Sequence, residues 1–183
     1  MRKLIYAINV SLDGCCDHTK MRGTEELMDH YAELLRDADT VIYGRKTYQL
    51  MVPYWPDIAK SLTESRAENE FARAFDAVGK VVVSHSLDHV EGNTKIIRTN
   101  LKDEILKLKQ QPGKKIVTGG VAIPAQLVEL GLVDECHFVV QPSVVGEGRR
   151  LLEGMSAPEK LQLRLVESKN LKSGAVALHY VKL

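Results

Sequence analysis

The chain reads Thr40-Val41-Ile42-Tyr43-Gly44-Arg45-Lys46-Thr47-Tyr48, where a short apolar run meets a polar segment that opens on glycine. Residues 40–43 have the β-branched and aromatic composition of a buried strand, and residues 45–51 are predicted to form the helix that follows. In an open α/β sheet, ligands collect beyond the carboxyl ends of strands, where the unpaired N–H groups of a helix favour anions. This junction therefore predicts a phosphate site at Gly44, Arg45, Lys46 and Thr47.

A second segment of the same kind is Thr118-Gly119-Gly120, which follows the apolar Lys115-Ile116-Val117. Glycine lets a phosphate approach the backbone closely, and Arg45 and Lys46 carry positive charge that a neutral ligand does not need. Most of a domain separates the two segments along the chain. Together they predict one elongated, multiply phosphorylated ligand lying across the edge of the sheet.

Strand and helix signals alternate along most of the chain, which implies parallel strands. Strands are predicted at residues 3–10, 40–43, 80–83, 94–97, 115–117 and 135–141. Helices are predicted at residues 24–38 with Thr24 as cap, at 45–51 ended by Pro53 and Pro56, as a charged surface helix within 61–77, after a cap at Asn100, and at 122–130. The end differs: residues 161–166 and 175–181 read as two strands joined by a loop at 169–174, an antiparallel hairpin that finishes the sheet.

Composition excludes several classes of function. The 183 residues are 44% hydrophobic, and we expect one domain over 1–183. Lys and Arg total 25 against 24 acidic residues, so no basic surface for nucleic acid is expected. The basic start is interrupted by Asn9, Ser11 and Asp13, and no run approaches the ~20 apolar residues of a membrane span. The sequence therefore predicts a cytoplasmic protein that binds neither nucleic acid nor membrane.

Cysteine and histidine give no sign of a metal. Cys15, Cys16 and Cys136 are odd in number, and the adjacent pair lacks C-x-x-C spacing, so reduced thiols are expected. The histidines have no evident partner in the sequence, and His137 and His179 fall in predicted strands, where packing histidines are expected. We predict no metal site.

The order of the motifs resembles that of the dihydrofolate reductases. Gly44-Arg45-Lys46-Thr47-Tyr48 is similar to their G-R-K/H-T segment, Val83-Ser84-His85-Ser86 to their V-L-S-R/S segment, and Thr118-Gly119-Gly120 to their glycine pair. Four other segments look more like the reductase domain of the bifunctional riboflavin deaminase-reductase: Ser11-Leu12-Asp13-Gly14, Leu35-Arg36-Asp37-Ala38-Asp39, Gly131-Leu132-Val133-Asp134-Glu135 and Pro142-Ser143-Val144-Val145-Gly146-Glu147-Gly148. The resemblance covers residues 3–181.

This resemblance implies a three-layer dihydrofolate-reductase-like α/β fold, a mixed, mostly parallel sheet flanked by helices. It also implies NADPH as hydride donor and a homodimer. By motif matching, the adenosine end and pyrophosphate would contact Gly44, Arg45, Lys46 and Thr47, the ribose 2′-phosphate would lie near Ser84 and His85, and the pyrophosphate and nicotinamide ribose would approach Thr118, Gly119, Gly120 and Val121. For Arg45, the alternative is a solvated cation on a helix.

Three residues are candidates for contact with a substrate. Ser11 and Asp13 lie in the loop expected over the nicotinamide, and Trp55 could stack on a flat heterocycle. Asp13 could equally form a turn with Gly14, and Trp55 could equally be loop packing.

Two positions depart from the family patterns. Ala7 stands where the riboflavin enzyme has a lysine, and Met28 stands where dihydrofolate reductases have a carboxylate, with Asp29 beside it and expected to face solvent. No catalytic residue is identified. The sequence predicts an NADPH-dependent reductase of a small heterocycle, resembling 5-amino-6-(5-phosphoribosylamino)uracil reductase. The alternatives are a non-catalytic nucleotide-binding or regulatory protein and a dihydrofolate reductase.

Overall fold

Strands and helices alternate in the computed structural model, which describes residues 1–156 and 161–183. The strands are β1 (Leu4–Ser11), β2 (Ala38–Gly44), β3 (Gly79–Val83), β4 (Thr94–Ile97), β5 (Lys115–Thr118), β6 (Glu135–Gln141), β7 (Leu163–Asn170) and β8 (Val176–Lys182). The α-helices are α1 (Glu25–Arg36), α2 (Arg45–Met51), α3 (Trp55–Ser61), α4 (Arg66–Ala77), α5 (Leu101–Gln110) and α6 (Ala122–Glu129). No helix within these two ranges is long and apolar enough to cross a membrane.

The strands form one mixed sheet in the order β4-β3-β2-β5-β1-β6-β8-β7. The six strands from β4 to β6 in this order run parallel to one another. β8 runs antiparallel to both β6 and β7. The predicted fold class is confirmed: a mostly parallel sheet flanked by helices and finished by an antiparallel hairpin.

Helices cover both faces of the sheet because alternate strand residues point to opposite sides. One face packs against α1, α2 and α4 through a cluster that includes Ile5, Val41 and Val117. The other face packs against α5 and α6 through Leu4, Ile42 and Ile116. Three layers result, and the parallel strands between them are buried on both sides.

The two predicted helix caps have different outcomes. The Thr24 side chain accepts a hydrogen bond from the Leu27 N–H at 3.3 Å, so Thr24 caps α1 as predicted. Asn100 precedes α5, but its side chain makes no capping bond and its φ is +54°. A side-chain cap requires extended backbone at that position, and the left-handed conformation of Asn100 prevents it. Asn100 therefore stands at the predicted start of the helix, but the prediction that its side chain caps the helix was wrong.

The segment from residue 51 to 77 is more structured than the sequence predicts. α2 ends at Met51, ahead of Pro53, but Pro56 lies in the first turn of α3, where a missing N–H costs nothing. Residues 62–65 are not helical. α4 begins after a capping box between Ser65 and Glu68, and it buries Phe71 and Phe75. The predicted surface helix is thus a core element with one solvated face.

The C-terminal hairpin is longer than predicted because its strands continue to pair beyond the expected ends. Asn170 pairs with Val176, so the turn occupies residues 171–175 rather than 169–174. The Leu171 N–H donates to the Ala175 carbonyl at 2.8 Å, and Gly174 has a φ of +86°. β7 forms the edge of the sheet and is largely exposed.

Candidate functional site

The three predicted nucleotide-binding segments meet at one edge of the sheet. β2 lies between β3 and β5, and all three are parallel, so their carboxyl ends share an edge. Gly44 at the end of β2 pairs with Val83 at the end of β3, and Ile42 pairs with Thr118 at the end of β5. The Thr118 hydroxyl donates to the Ile42 carbonyl at 2.9 Å, which fixes β5 to β2 just before the glycine pair.

The glycine pair packs tightly against its surroundings. Gly120 has a φ of +87°, and a Cβ there would lie 2.6 Å from Thr47 Oγ1. The Tyr6 hydroxyl donates to the Gly120 carbonyl at 2.9 Å and holds the turn from the sheet side. A Cβ at Gly119 would meet the Tyr43 ring at 3.2 Å, and one at Gly44 would meet Ile123 at 3.0 Å. A Cβ at any of these positions would have to displace a neighbouring side chain, and backbone without a Cβ lets a ligand approach closely.

Helix starts and cations give this edge a positive character. α2 begins at Arg45 after Gly44, α6 begins at Ala122 after Val121, and neither has a side-chain cap. Their first N–H groups are therefore open to an anion. Arg45 and Lys46 are exposed, and the Arg45 guanidinium donates to the Gln49 side chain at 3.4 Å. Such an arrangement suits a phosphorylated ligand.

The turn after β3 contains the predicted residues Ser84 and His85. Ser84 is buried, and its hydroxyl accepts from the Ser86 and Leu87 N–H groups at 3.3 and 3.1 Å. His85 is exposed, and its carbonyl accepts from the guanidinium of Arg98 at 3.3 Å. Sequence analysis missed Arg98, which follows the neighbouring strand β4. Arg98 is a further cation at the position predicted for the 2′-phosphate.

The turn that contains Ser11 and Asp13 is fixed by a hydrogen bond within it and by others to residues 145–150. The Asp13 carboxylate accepts from the Ser11 hydroxyl at 2.6 Å and from the Val145 and Gly146 N–H groups at 3.1 and 2.8 Å. Arg150 donates to the Asp13 carbonyl. These hydrogen bonds, led by that of Ser11, hold the pKa of Asp13 well below its usual range. Asp13 thus joins two loops, and its contact with a substrate stays a prediction.

This bonding gives Asp13 a pH-dependent contribution to stability. Because its folded pKa is depressed, the contribution is complete above the unfolded pKa of about 4 and declines progressively as the pH falls from there through the folded pKa. Asp13→Asn should therefore lower the free energy of unfolding at pH 6, and the difference from the unmodified protein should shrink toward pH 3. Urea unfolding at both pH values measures this. Asp88→Asn, at an exposed aspartate, is the control, and a constant difference for Asp13→Asn would contradict the assignment.

The ring of Trp55 packs between two aromatic neighbours. It meets the Phe71 ring edge to face at 4.6 Å between centroids and the Tyr54 ring at 4.9 Å. Trp55 therefore contributes to packing, the second of the two roles considered for it, and contact of Trp55 with a substrate stays a prediction. Asp29 faces solvent as expected and pairs with Arg66 at 2.7 Å.

A polar pair that sequence analysis did not single out lies near the carboxyl end of β1. The Tyr31 hydroxyl on α1 donates to the Asn9 side chain at 3.0 Å, and burial raises the pKa of Tyr31. Asn9 is two residues beyond Ala7, and the Ala7 carbonyl lies next to Gly119: a Cβ built on Gly119 would be 3.4 Å from it. The pair therefore offers polar atoms on the sheet face next to the glycine turn.

The sequence shows no partner for His137 or His179, but in the structure both lie beside Glu135. Strand pairing places them side by side, with ring centroids 4.1 Å apart. Glu135 Oε2 lies 3.2 Å from His179 Nε2 and 3.5 Å from His137 Nε2. Burial and the neighbouring His179 lower the pKa of His137 to about 4, so its ring is neutral at physiological pH.

The sheet order and the glycine-lined edge define a dihydrofolate-reductase-like α/β protein. Within that class, the family model described as the RibD C-terminal domain matches residues 2–177, and the chain belongs to this family. It is 29% identical over 183 residues to the uncharacterized protein YyaP of Bacillus subtilis (strain 168), covering 98% of this chain and 94% of YyaP.

Solved structures share the fold. A Shewanella sp. PV-4 protein assigned to riboflavin biosynthesis superposes with a TM-score of 0.73 at 18% identity, covering 99% of each chain. Dihydrofolate reductase of Enterococcus faecalis, solved with NADP(H), gives a TM-score of 0.61 at 12% identity, covering 98% of this chain and 96% of that one. The family resemblance inferred from the motifs is therefore confirmed.

Proposed function

We propose that the protein is an NADPH-dependent reductase of a small heterocyclic substrate, of the class of 5-amino-6-(5-phosphoribosylamino)uracil. One observation carries the proposal: the three motifs matched to a dinucleotide meet at one edge of the sheet, where Gly119 and Gly120 pack closely against Tyr43 and Thr47. The family of the chain and the NADP(H)-bound dihydrofolate reductase of the same fold support it.

The residues at this edge suit NADPH. The N–H groups at the starts of α2 and α6 would bind the pyrophosphate, with Gly119 and Gly120 admitting it to the backbone. Lys46 would neutralise the charge of the pyrophosphate, and Arg45 at the adenosine end, with Arg98 beside Ser84, would supply cations for the 2′-phosphate. When bound, NADPH supplies a hydride. The role of the chain is to hold the donor and the substrate in register and to exclude water.

The substrate would lie over the sheet face beside the glycine turn. Asn9 and Tyr31 offer polar groups there: burial keeps Tyr31 protonated, its O–H donates to the Asn9 side-chain oxygen, and the Asn9 NH2 group would donate to a substrate. The loop at Ser11 and Asp13, joined to residues 145–150, would form the rim. Its internal hydrogen bonds keep the rim in one conformation, which favours a defined substrate pose.

Arg45→Ala tests the cofactor assignment. If Arg45 binds the 2′-phosphate of NADPH, its removal should weaken NADPH by about 1–3 kcal/mol, or roughly 5- to 150-fold, and weaken NADH, which lacks that phosphate, less. Titrations of purified protein followed by nucleotide fluorescence give both dissociation constants. Arg36→Ala is the matched control, because Arg36 ends α1 at the opposite edge of the sheet and pairs with Glu70. Equal weakening of NADPH and NADH would show that Arg45 does not contact the 2′-phosphate.

A second candidate function is non-catalytic nucleotide binding. It is favoured by the two positions that depart from the family patterns, since Ala7 is buried and Met28 packs against the core, so neither offers a polar group to a substrate. NADPH oxidation with an aminouracil ribosyl phosphate and with dihydrofolate separates the functions. Turnover of the first supports our proposal, turnover of the second indicates a dihydrofolate reductase, and NADPH binding without any turnover favours the regulatory role.

We further propose that two copies associate, as the family resemblance implies. The edge strand β7 supports this, because Leu165 and Val166 are 48% and 50% exposed on a strand with a free side. Multi-angle light scattering should give twice the mass of the chain, and Leu165→Lys should shift the protein toward the monomer. A monomeric mass at all concentrations would contradict the proposal.

A further inference from the structure

Glu135, His137 and His179 form a compact cluster far from the glycine-lined edge. Glu135 is the first residue of β6, and β6 is parallel to β1 and thereby to the strands that end at Gly44 and Thr118. The cluster thus lies toward the amino ends of the parallel strands, on the face covered by α1. It borders a groove of about 360 Å³, also lined by His30, Glu33 and Glu167.

The separations within the cluster match those of ligands around one metal ion. With zinc bonds of about 2.0–2.2 Å, two ligands at tetrahedral positions lie about 3.3–3.6 Å apart. Glu135 Oε2 is 3.2 Å from His179 Nε2 and 3.5 Å from His137 Nε2. All three ligand atoms lie within 4.8 Å of one another. These separations are compatible with three ligands around one ion.

Two features indicate that these atoms are available to a ligand. His137 Nε2 is buried and makes no hydrogen bond of good geometry among the described residues, although Glu135 Oε2 lies 3.5 Å away; a buried nitrogen in this state is costly unless something else binds it. Glu135 is 4% exposed, and its two oxygens have separate partners. Oε1 pairs with Lys3, which leaves Oε2 directed at the two rings. A carboxylate fixed by an outer partner in this way is common in metal sites.

We propose that Glu135, His137 and His179 bind one divalent transition-metal ion, with zinc the best match, and leave a fourth coordination position open to the groove. Two imidazoles and one carboxylate suit zinc rather than magnesium or calcium, which prefer all-oxygen sets. The proposal is independent of NADPH binding, since no residue of the cluster belongs to the glycine-lined edge.

Cobalt and zinc titrations of tag-free, chelator-treated protein test the site. We expect one Co²⁺ per chain, with the visible absorption of a low-symmetry site and without the sulfur-to-metal bands that cysteine would give. His179→Ala should weaken the metal by more than the ~10- to 100-fold that loss of an outer partner typically costs. His89→Ala, at an exposed histidine outside the cluster, should bind cobalt as the unmodified protein does.

A near-isosteric variant protects the test against misfolding. Glu135→Gln keeps the size of the side chain and should also lose the metal, with folding checked by circular dichroism. Zinc at a hundredfold excess over its Kd should raise the Tm of the unmodified protein by roughly 5–10 °C and leave that of His179→Ala unchanged. Absence of saturable binding, equal affinity in His179→Ala, or a thiolate spectrum would overturn the proposal.

Discussion

Gly120→Ala should weaken NADPH at least about tenfold, a loss of ~1.4 kcal/mol, and lower the free energy of unfolding by about 1–2 kcal/mol. The backbone at Gly120 has a φ of +87°, which strains any residue with a Cβ. The new methyl group would also lie 2.6 Å from Thr47 Oγ1. Either Thr47 or the glycine turn must move, and both are predicted to hold the nucleotide. Fluorescence titration and urea unfolding measure the two effects.

A matched glycine separates backbone strain from steric contact. Gly154 has a φ of +83°, and a Cβ there would meet nothing within 4 Å. Gly154→Ala should therefore cost stability through its backbone alone and leave the affinity for NADPH unchanged. If Gly120→Ala binds NADPH as tightly as Gly154→Ala does, the glycine turn does not approach the nucleotide.

Phe75→Ala should lower the free energy of unfolding by about 3–5 kcal/mol, as expected for removal of a buried aromatic ring. Phe75 is fully buried on the inner face of α4. Its ring stacks on Phe71 at 6.1 Å and on Tyr43 at 6.3 Å, and Lys80 Nζ lies 5.0 Å from its centroid. Truncation would remove these ring contacts and leave a cavity beneath α4.

Urea unfolding of Phe75→Ala and of Leu50→Ala provides the comparison. Leu50 is 49% exposed, so its truncation should change stability by no more than about 0.5 kcal/mol. Similar small losses for both variants would mean that α4 is loosely attached and that the stacked aromatic rings contribute little.

Features encoded within a few adjacent residues were predicted well. The apolar periodicity after Thr24 defined α1, and the strand-to-helix junction at Gly44 was found to within a residue. Hydrophobic period and glycine position are local properties, so one sequence carries them fully. The parallel order of the strands followed from their alternation with helices. The meeting of the motifs at one edge follows from that order.

Features that depend on distant pairing were missed. His137 and His179 are brought together by the register of β6 against β8, and nothing near either residue signals the other. The same holds for Asp13, whose amide donors Val145 and Gly146 are far along the chain. A sequence shows which side chains can bond, but the register of a sheet decides which of them do.

The smaller errors had local causes. Pro56 was interpreted as a helix end, although proline is equally suited to the first turn of a helix. The helix α4 was predicted to lie on the surface because polar residues outnumber apolar ones in its sequence, yet two of its phenylalanines belong to the core. Phe71 and Phe75 are four residues apart and share one helix face, a spacing that would have predicted burial.

The central position of β1 affects how the protein can be made. The first strand of the chain is bordered on both sides by strands from its second half, β5 and β6. During synthesis, residues 4–11 leave the ribosome long before β5 and β6 have been made. The apolar strand β1 therefore remains unpaired during that time. We expect nascent chains that end before about residue 141 to remain protease-sensitive. Folding should become cooperative only once β6 has been synthesised and can pair with β1.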